Sequence, residues 1–506
     1  MYVGPPPRRS AAIRRVTLCA LVLVGALAIL ELGLRVAGVG DPWARFERRA
    51  GLDDFARYLA PDELVPGGWR TQMYGDAARE VHVAPRDARA RVLLLGGSTV
   101  SGLDEKALAM ALDAAEPRRG HEVINLGRPG YGAERVLILL RQALPTLQPD
   151  VVVVSVGQQE FLEPGLGAAL AEGDGPSLLD GLRCAGLAAS LWEPRPEGVP
   201  WEGDGEPEPI GGWEGRPEGF TPAGRDCIYQ AFGRLVDSIV ATTQGSGARL
   251  VLCTSASNLL VPPSLPDHQQ PLPPALKAQF DAAREKVHAA LPERVVAGLL
   301  RIAPDKPPLL PGFYWWGEEL RVARVKTGPP PSEGVAAPQL RALAAPFDGG
   351  AQWGDPEYWD PRLHQLMNTL HDFHERKLTP EERAAVEQAK AAAEEAVAIS
   401  PGHGYAVFEL GLAQYLLGED EAAVSRLREA QLLDLHPNRG NDRTNALVRA
   451  AAARAPDVVL ADLEALLRDA SPNGLVGYEL VADACHLQPG ARRATLDVLV
   501  PAILRP

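Results

Sequence analysis

The sequence is poor in cysteine and carries little positive charge. It has five cysteines among 506 residues, and their spacing matches no metal-binding motif. Lysine and arginine number 51 against 65 aspartates and glutamates, which gives a net charge of −14. Such an acidic chain argues against nucleic acid as a partner. Cys184 and Cys227 could pair in an oxidising compartment, but sequence alone gives this disulfide little support.

Long apolar runs are also scarce, and the most prominent one lies near the N-terminus. Four arginines precede an uncharged run from Val16 to Leu30. Fifteen residues are short for a membrane-spanning helix, but the stretch from Ile13 to Leu34 reaches the required length. The positive-inside rule then places the N-terminus in the cytoplasm and the rest of the chain in the periplasm. We expect a single-pass signal-anchor in the inner membrane, with a cleaved signal peptide or a buried core helix as alternatives.

Short apolar segments recur along the chain and are separated by helix-like stretches. Runs of this kind are typical of buried, parallel strands. The five segments are 92–96, 122–125, 151–156, 249–254 and 457–461. Helix-like stretches lie near 104–116, 133–144 and 226–243, and a closing helix begins at about Gly490. Strands that alternate with helices predict an α/β protein with a doubly wound parallel sheet.

Two loop-rich insertions interrupt this alternation. They cover 163–222 and 262–376, and the second contains helical stretches near 274–290 and 361–376. The predicted division of the chain is a basic cytoplasmic N-terminus (1–12), a transmembrane signal-anchor helix (13–35), a lead-in segment (36–89), a first α/β part with insertions (90–377), an Ala-rich helical segment (378–437) and a second α/β part (438–506).

The Ala-rich segment resembles a tetratricopeptide repeat. The small and apolar positions of that repeat fall on Leu410, Gly411, Gly418, Ala423, Leu427 and Ala430, with Pro437 slightly late. One full repeat and part of another fit the segment, whereas three are normally needed for independent stability. We therefore expect it to pack on the α/β domain. A plain helical hairpin is the alternative, because alanine at helical spacing is common.

The first predicted strand of the sheet leads into the sequence GGSTVSG, which contains Ser98. Ligands of open α/β sheets bind at the carboxyl ends of the strands, so Ser98 is placed where chemistry is expected. Glycines permit the sharp turn that this placement needs. A phosphate-binding loop is not favoured, because no lysine follows the last glycine and the pattern GxGxxG is absent.

Three later segments lie at the ends of predicted strands or in the C-terminal loop. They are NLGRPGYG with Asn125, Gly127 and Gly130, VSVGQQEF with Gly157, Gln159 and Glu160, and DACH with Asp483 and His486. Together with GGSTVSG they resemble, in order, the four blocks of the SGNH (GDSL-type) hydrolase family. The resemblance implies a flavodoxin-like, three-layer sheet of about five parallel strands. The whole arrangement resembles a bacterial, membrane-anchored branch with tetratricopeptide repeats inserted before the last block.

The resemblance also implies residue roles. Acyl transfer needs a hydroxyl nucleophile, a base and donors for the oxyanion. Ser98 would be the nucleophile, His486 the base and Asp483 the group that orients the imidazole. The oxyanion hole would consist of the backbone N–H groups of Ser98 and Gly130 and the side chain of Gln159.

Gln159 departs from the family pattern, which has asparagine at this position. Glutamine keeps the amide but adds one methylene, which moves the donor by about 1.5 Å. Because losing one oxyanion donor costs roughly 10²–10³ in rate, activity depends on whether the site accommodates the longer side chain.

We therefore expect a membrane-anchored serine esterase that hydrolyses carboxylic esters of an envelope glycan or lipid, without cofactor or metal. An O-acyltransferase that modifies a cell-surface glycan is the alternative within enzymes. A catalytically weak scaffold, whose repeats bind a protein partner, is the alternative outside them.

Several other polar residues are open to two interpretations. Asn258 either lines the cleft or caps a turn. Arg439 and Arg443, in the predicted loop that leaves the repeats, could meet an anionic substrate, although exposed salt bridges are favoured. A helical face of three histidines could bind zinc but lacks a cysteine or a clear carboxylate, so a packed or solvated face is favoured. These histidines are His364, His371 and His374.

Overall fold

The computed structural model describes residues 9–36, 58–71, 81–162, 167, 220–264, 271–292, 378–477, 480–481 and 483–505. The strands are β1 (Leu59–Pro61), β2 (Trp69–Thr71), β3 (His82–Val83), β4 (Ala90–Gly96), β5 (His121–Asn125), β6 (Val151–Ser155), β7 (Arg249–Cys253) and β8 (Val458–Ala461). The first helices are α1 (Arg9–Val36), α2 (Ser98–Ser101), α3 (Glu105–Ala115), α4 (Ala133–Leu147), α5 (Pro222–Ser246) and α6 (Pro274–Ala290). The later ones are α7 (Pro380–Ile399), α8 (Gly404–Leu417), α9 (Asp420–Leu433), α10 (Asp442–Arg454), α11 (Leu463–Ala470) and α12 (Pro489–Leu504), with a 3₁₀ turn at Pro472–Gly474.

Five parallel strands form the central sheet in the order β5-β4-β6-β7-β8. Numbered along the chain within this sheet, the order is 2-1-3-4-5, which is the flavodoxin-like doubly wound order. The prediction of an α/β protein with about five parallel strands is therefore confirmed. The strands and their flanking helices differ from the predicted bounds by a few residues.

Alternate residues of the strands face two separate helical layers. Leu93, Leu95, Val152 and Val154 pack in one apolar core with α4, α5 and α10. Val92, Leu94, Val151 and Val153 pack in the other core with α3 and α12. Because side chains alternate along a strand, a strand covered by helices on both faces must be apolar throughout. This requirement explains the continuous apolar runs that mark the sheet in the sequence.

Helix α1 contains the 19-residue apolar span Val16–Leu34, which is long enough to cross a membrane. A signal sequence or a core helix of a soluble protein can also be this long and this apolar. The structure therefore supports an apolar N-terminal helix, and its role as an anchor stays a prediction.

A small antiparallel sheet, β1-β2-β3, lies within the segment that the sequence predicts only as a lead-in. Tyr58, just before β1, joins the core beneath the central sheet and packs edge-to-face on Tyr131. Its backbone N–H donates to Gln142 Oε1 of α4 at 2.9 Å. These contacts hold the small sheet close to the segment that leads into α4.

Helices α6 to α9 pack on one another as a helical unit with its own apolar core. Ala423, Leu427 and Ala430 are buried in that core, and a Cβ on Gly411 would lie 2.9 Å from Leu427 Cγ. Gly418 ends α8 in the left-handed conformation that favours glycine. These positions of the repeat-like pattern are thus used in packing, while the assignment of the segment to the tetratricopeptide repeats stays a prediction.

The helical unit also contacts the α/β domain. Leu259, Leu260 and Val261, which follow β7, belong to the core of the helical unit. The helix predicted at 361–376, with its three histidines, lies outside the described residues, as does Cys184.

A buried ion pair joins α6 to α8 inside the helical unit. The fully buried carboxylate of Glu409 accepts from Arg284 at 2.6 and 3.0 Å and lies 2.7 Å from His288 Nε2. Burial opposes ionisation of Glu409, but the hydrogen bonds from His288 and Arg284 outweigh it and lower the pKa of this carboxyl.

We expect Glu409→Gln to lower the free energy of unfolding by about 3–5 kcal/mol, because it leaves the Arg284 guanidinium partly buried without its counter-charge. Urea denaturation of the purified chain measures this change. Glu395 pairs with Lys286 between exposed side chains of the neighbouring helices and serves as the control. Glu395→Gln should leave the unfolding free energy nearly unchanged, and equal losses from both substitutions would contradict the prediction.

Candidate active site

Two glycines place Ser98 at the carboxyl end of β4. A Cβ on Gly96 would lie 2.3 Å from the carbonyl oxygen of Ser155 on the neighbouring strand, so a side chain cannot fit there. A Cβ on Gly97 would lie 3.1 Å from the Tyr131 carbonyl oxygen. The chain therefore turns tightly after β4, and Ser98 becomes the first residue of α2.

The second part of the site is a short closed loop before α12. An isolated bridge pairs Val481 with Leu487, and Gln488 N donates to Leu480 O at 2.8 Å. Inside the loop, Asp483 Oδ1 accepts from the backbone N–H groups of Cys485 and His486 at 2.9 and 2.8 Å. This Asx-type turn fixes the Asp483 carboxylate and leaves its second oxygen for another donor.

His486 connects the two parts. Its Nδ1 lies 2.6 Å from Asp483 Oδ2, and its Nε2 lies 2.7 Å from Ser98 Oγ, which is 388 residues away in the sequence. The carboxylate can only accept, so we assign the proton to Nδ1. Nε2 is then an acceptor for the Ser98 hydroxyl. The structure thus brings together all three residues that the sequence pairs across the length of the chain.

The charge state of this pair follows from its surroundings. Burial favours the neutral form of Asp483, but the nearby His486 and the hydrogen bonds to the carboxylate outweigh it and lower the pKa of Asp483. Burial likewise disfavours an imidazolium at position 486, but the adjacent Cys485 and Asp483 raise the pKa of His486 well above its ordinary value. Asp483 is therefore a carboxylate at neutral pH, and it stabilises positive charge on the imidazole.

Three groups near Ser98 are available as donors to a ligand. The backbone N–H groups of Ser98 and Gly130 have no acceptor among the residues that the structure describes. Gly130 adopts φ +78°, and the space where a Cβ would lie is empty. Gln159 is 3% exposed, lies against Gly97, and its Oε1 has no hydrogen-bond partner in the described part of the chain. Its Nε2, the atom that can donate, likewise makes no hydrogen bond to a described residue.

The remaining motif residues hold the backbone around the serine. Asn125 Nδ2 donates to the carbonyl oxygens of Val100 and Leu103 at 2.8 and 3.1 Å. Its Oδ1 accepts from Gly127 N at 2.9 Å. Asn125 therefore fixes the segment after Ser98 and the start of the segment that carries Gly130.

Glu160 and Gln158 also have structural partners. Glu160 accepts from the backbone N–H groups of Gly157 and Ala133 at 2.9 and 3.2 Å. Gln158 Oε1 accepts from the Thr99 hydroxyl at 2.8 Å. Of the adjacent glutamines, Gln158 is thus hydrogen-bonded to Thr99, whereas Gln159 lies against Gly97 and its Oε1 has no partner among the described residues.

The structure favours the second alternative for Asn258, the cap of a turn, because its Oδ1 accepts from Leu260 N at 2.9 Å. It is fully buried, and its Nδ2 donates to Val481 O at 2.9 Å in the loop of Asp483 and His486.

The expectation of an exposed, salt-bridging Arg439 is wrong. The side chain is buried and donates to the backbone carbonyl oxygens of Val261 and Pro262 at 2.8 and 2.6 Å. Arg443 lies in α10 rather than in a loop. There it pairs with Asp226 and covers the ring of Tyr229, as expected for a surface salt bridge.

Among the residues that the structure describes, one group of possible metal ligands coincides with the site. The ligand atoms of Asp483, Cys485 and His486 lie within 4.8 Å of one another. Asp483 and His486 already bind each other, and Cys485 is buried beneath them. These three residues are the ones that could hold a soft divalent cation, and such binding would break the Asp483–His486 hydrogen bond.

Comparison with known proteins gives partial structural matches. No family model and no curated protein matches the chain. An α/β-hydrolase from the metagenome of Lake Arreo is 14% identical over 34% of this chain and 63% of its own, with a TM-score of 0.19. A GDSL-like lipase from Bacteroides thetaiotaomicron is 10% identical over 35% and 53%, with a TM-score of 0.18.

An acetyl xylan esterase from Geobacillus stearothermophilus is 12% identical over 33% of this chain and 61% of its own, with a TM-score of 0.18. The chain thus spans less than two thirds of the length of each of these solved chains. These neighbours are hydrolases. Because each match covers only about a third of this chain, the matches do not identify a substrate.

The two adjacent glutamines should respond differently to the same substitution. We expect Gln159→Met to leave the thermal unfolding midpoint unchanged or to raise it, because it removes a buried carbonyl oxygen that has no partner. Gln158→Met, the matched control, should lower the midpoint, because it leaves the Thr99 hydroxyl unpaired. Thermal denaturation followed by circular dichroism compares them, and a larger loss for Gln159→Met would contradict the contacts described.

Proposed function

We propose that the chain is a serine esterase of the SGNH type that hydrolyses carboxylic esters. The hydrogen-bonded series Ser98–His486–Asp483 is the observation that carries this proposal. A hydroxyl on a neutral imidazole, which in turn is fixed by a buried carboxylate, is the arrangement that activates a serine nucleophile. A purely structural serine would not require a histidine from the opposite end of the chain.

In the proposed reaction, Ser98 Oγ attacks the ester carbonyl carbon while His486 Nε2 takes its proton. Asp483 stabilises the imidazolium. His486 then protonates the leaving alcohol as the C–O bond breaks, which leaves an acyl group on Ser98. Water attacks this acyl group with His486 again as the base, and the free acid and Ser98 are released.

The oxyanion formed in each attack would accept from the N–H groups of Ser98 and Gly130 and from the amide of Gln159. Free N–H groups aimed at one point supply this kind of stabilisation without reorganisation. The contact of Gln159 with Gly97, next to Ser98, and the absence of a hydrogen bond from its Nε2 to any described residue support its assignment as the third donor. Glutamine would then replace the asparagine of the family.

We further propose that α1 anchors the enzyme in the inner membrane, with the α/β domain in the periplasm. The arginines before its apolar span support this orientation. A tethered esterase suits an O-acylated glycan or lipid of the envelope, and the helical segment 378–437 could bind a protein partner. Hydrolysis rather than acyl transfer to a glycan would appear as release of the free acid when a glycan acceptor is present.

An active-site-directed fluorophosphonate should label the wild-type chain and fail to label Ser98→Ala. Only an activated serine reacts readily with this probe. Ser101, at the other end of the four-residue helix α2, provides the matched control, and Ser101→Ala should label as wild type does. Labelling is measured on the folded chain by fluorescence after electrophoresis. Persistent labelling of Ser98→Ala, or none of the folded wild type, would overturn the proposal.

The pH dependence of hydrolysis should reflect the charge of His486. The imidazole must be neutral to accept the Ser98 proton, and the pKa of His486 is raised well above 6.5. We therefore expect kcat/KM to rise with pH along a limb centred above pH 6.5. Asp483→Asn should move that limb to lower pH, because it removes a carboxylate that stabilises the imidazolium, and should lower the maximum by roughly 10⁴.

Asp497→Asn is the control for this experiment, since Asp497 is an exposed residue of α12. It should leave both the limb and the maximum unchanged. A limb that stays in place in Asp483→Asn would show that His486 is not the titrating base.

A further inference from the structure

Two buried polar side chains outside the proposed triad connect the helical segment to the loop of Asp483 and His486. They are Asn258, which follows β7, and Arg439, which lies in the segment between α9 and α10. Asn258 is fully buried and Arg439 is 2% exposed. Buried polar groups at the junction of two units need a reason, because each is costly unless all its bonds are made.

Asn258 fixes the loop on both sides of Asp483. Its backbone N–H donates to Ala484 O at 3.1 Å, and its Nδ2 donates to Val481 O at 2.9 Å. These two carbonyl groups flank Asp483, whose own carboxylate holds the backbone N–H of His486. The position of the imidazole therefore depends on Asn258, although none of the described hydrogen bonds of Asn258 goes to Ser98 or His486.

Arg439 fixes Asn258 in turn. Its Nη1 donates to the carbonyl oxygens of Asn258 and Val261 at 3.3 and 2.8 Å, and its Nη2 donates to Pro262 O at 2.6 Å. Gln431, within α9, also donates to Asn258 O at 3.3 Å. The planar guanidinium holds these carbonyl groups in one fixed arrangement, which a lysine ammonium cannot do.

We propose that Asn258 and Arg439 are positioning residues that hold His486 on Ser98, so that the helical segment and the proposed active site form one coupled unit. This inference rests on the proposed function. It assigns to the insertion a role in catalysis: the segment that follows α9 completes the support of the catalytic loop. A displacement of about 1 Å at a reacting group is enough to lower a rate by roughly 10².

A second buried arginine supplies a matched control. Arg225 of α5 donates to the carbonyl oxygens of Leu432 and Asp434 at 2.6 and 2.9 Å. It therefore ties the end of α9 to the α/β domain by the same kind of bond as Arg439. Unlike Arg439, it makes no hydrogen bond with Asn258. Loss of either arginine should loosen the helical segment, whereas only loss of Arg439 should displace the His486 imidazole.

The test compares Arg439→Met, Asn258→Ala and Arg225→Met in the full chain, purified in detergent. We expect kcat for a soluble ester to fall by roughly 10² in the first two variants with KM nearly unchanged, because substrate contacts remain and the base is misplaced. Arg225→Met should keep kcat within about twofold of wild type, even if its unfolding midpoint falls as much as that of Arg439→Met. The double variant Arg439→Met/Asn258→Ala should lose little more than either single variant, since both act through one contact.

A proton resonance provides a readout that does not need activity. The Nδ1 proton shared between His486 and Asp483 should give a far-downfield signal, assigned by its loss in Asp483→Asn. We expect this signal to shift or vanish in Arg439→Met and Asn258→Ala and to persist in Arg225→Met. If kcat and the signal change in parallel with the unfolding midpoint in all three variants, or if neither changes in Arg439→Met, the positioning role is overturned.

The two proposals can fail separately. An inactive, unlabelled wild type would remove the esterase, while the proton signal would still show whether Arg439 holds the Asp483–His486 pair. A labelled, active wild type with unaffected Arg439→Met and Asn258→Ala variants would remove the positioning role alone.

Discussion

The hydrogen bond between Ser98 Oγ and His486 Nε2 joins parts of the chain that are 388 residues apart. The proposed chemistry requires this hydrogen bond, and the turn at Ser98 and the loop of His486 both serve to maintain it. On one side, the close approach of β4 and β6 requires glycine at position 96 and forces the turn that presents Ser98. On the other side, Asp483 binds both the backbone and the ring of His486, so the loop holds one orientation of the imidazole. The doubly wound sheet serves mainly to bring these two turns to the same edge.

The inserted helical segment is part of that constraint rather than an appendage. Its core includes the residues that follow β7, and Gln431 of α9 donates to the carbonyl oxygen of Asn258. Arg439, which directly follows the segment, donates to the same oxygen. The second part of the α/β domain returns to the sheet only after this insertion. The insertion thus lies between the proposed nucleophile and base along the chain and also supports the base in space. A change in the conformation of the helical segment would therefore be transmitted through these contacts to the position of His486.

The sheet can be predicted from the sequence because its signals are local, and the triad because the motifs that contain its residues resemble the blocks of a known family. Strands buried on both faces must be apolar throughout, and each site residue lies in a short motif next to a turn. The small sheet β1-β2-β3 has no such signal, since its strands have two or three residues. Helix α10 is not among the predicted helices, although the sequence contains a local signal for it, the capping box of Asn441 and Thr444. Arg439 is mispredicted because it lies in a polar stretch that resembles an exposed loop, while its acceptors lie 177 to 181 residues earlier. No local pattern encodes such a contact.

The central claim is that Ser98 attacks an acyl carbon whose oxygen is held by Ser98, Gly130 and Gln159. A crystal structure of the chain after reaction with a phosphonate tests this most directly, because the adduct mimics the tetrahedral intermediate. The account predicts phosphorus bonded to Ser98 Oγ, with the phosphoryl oxygen about 2.7–3.1 Å from the two backbone N–H groups and the Gln159 amide nitrogen. Phosphorus on another side chain, or a phosphoryl oxygen directed into solvent away from Gly130 and Gln159, would contradict it.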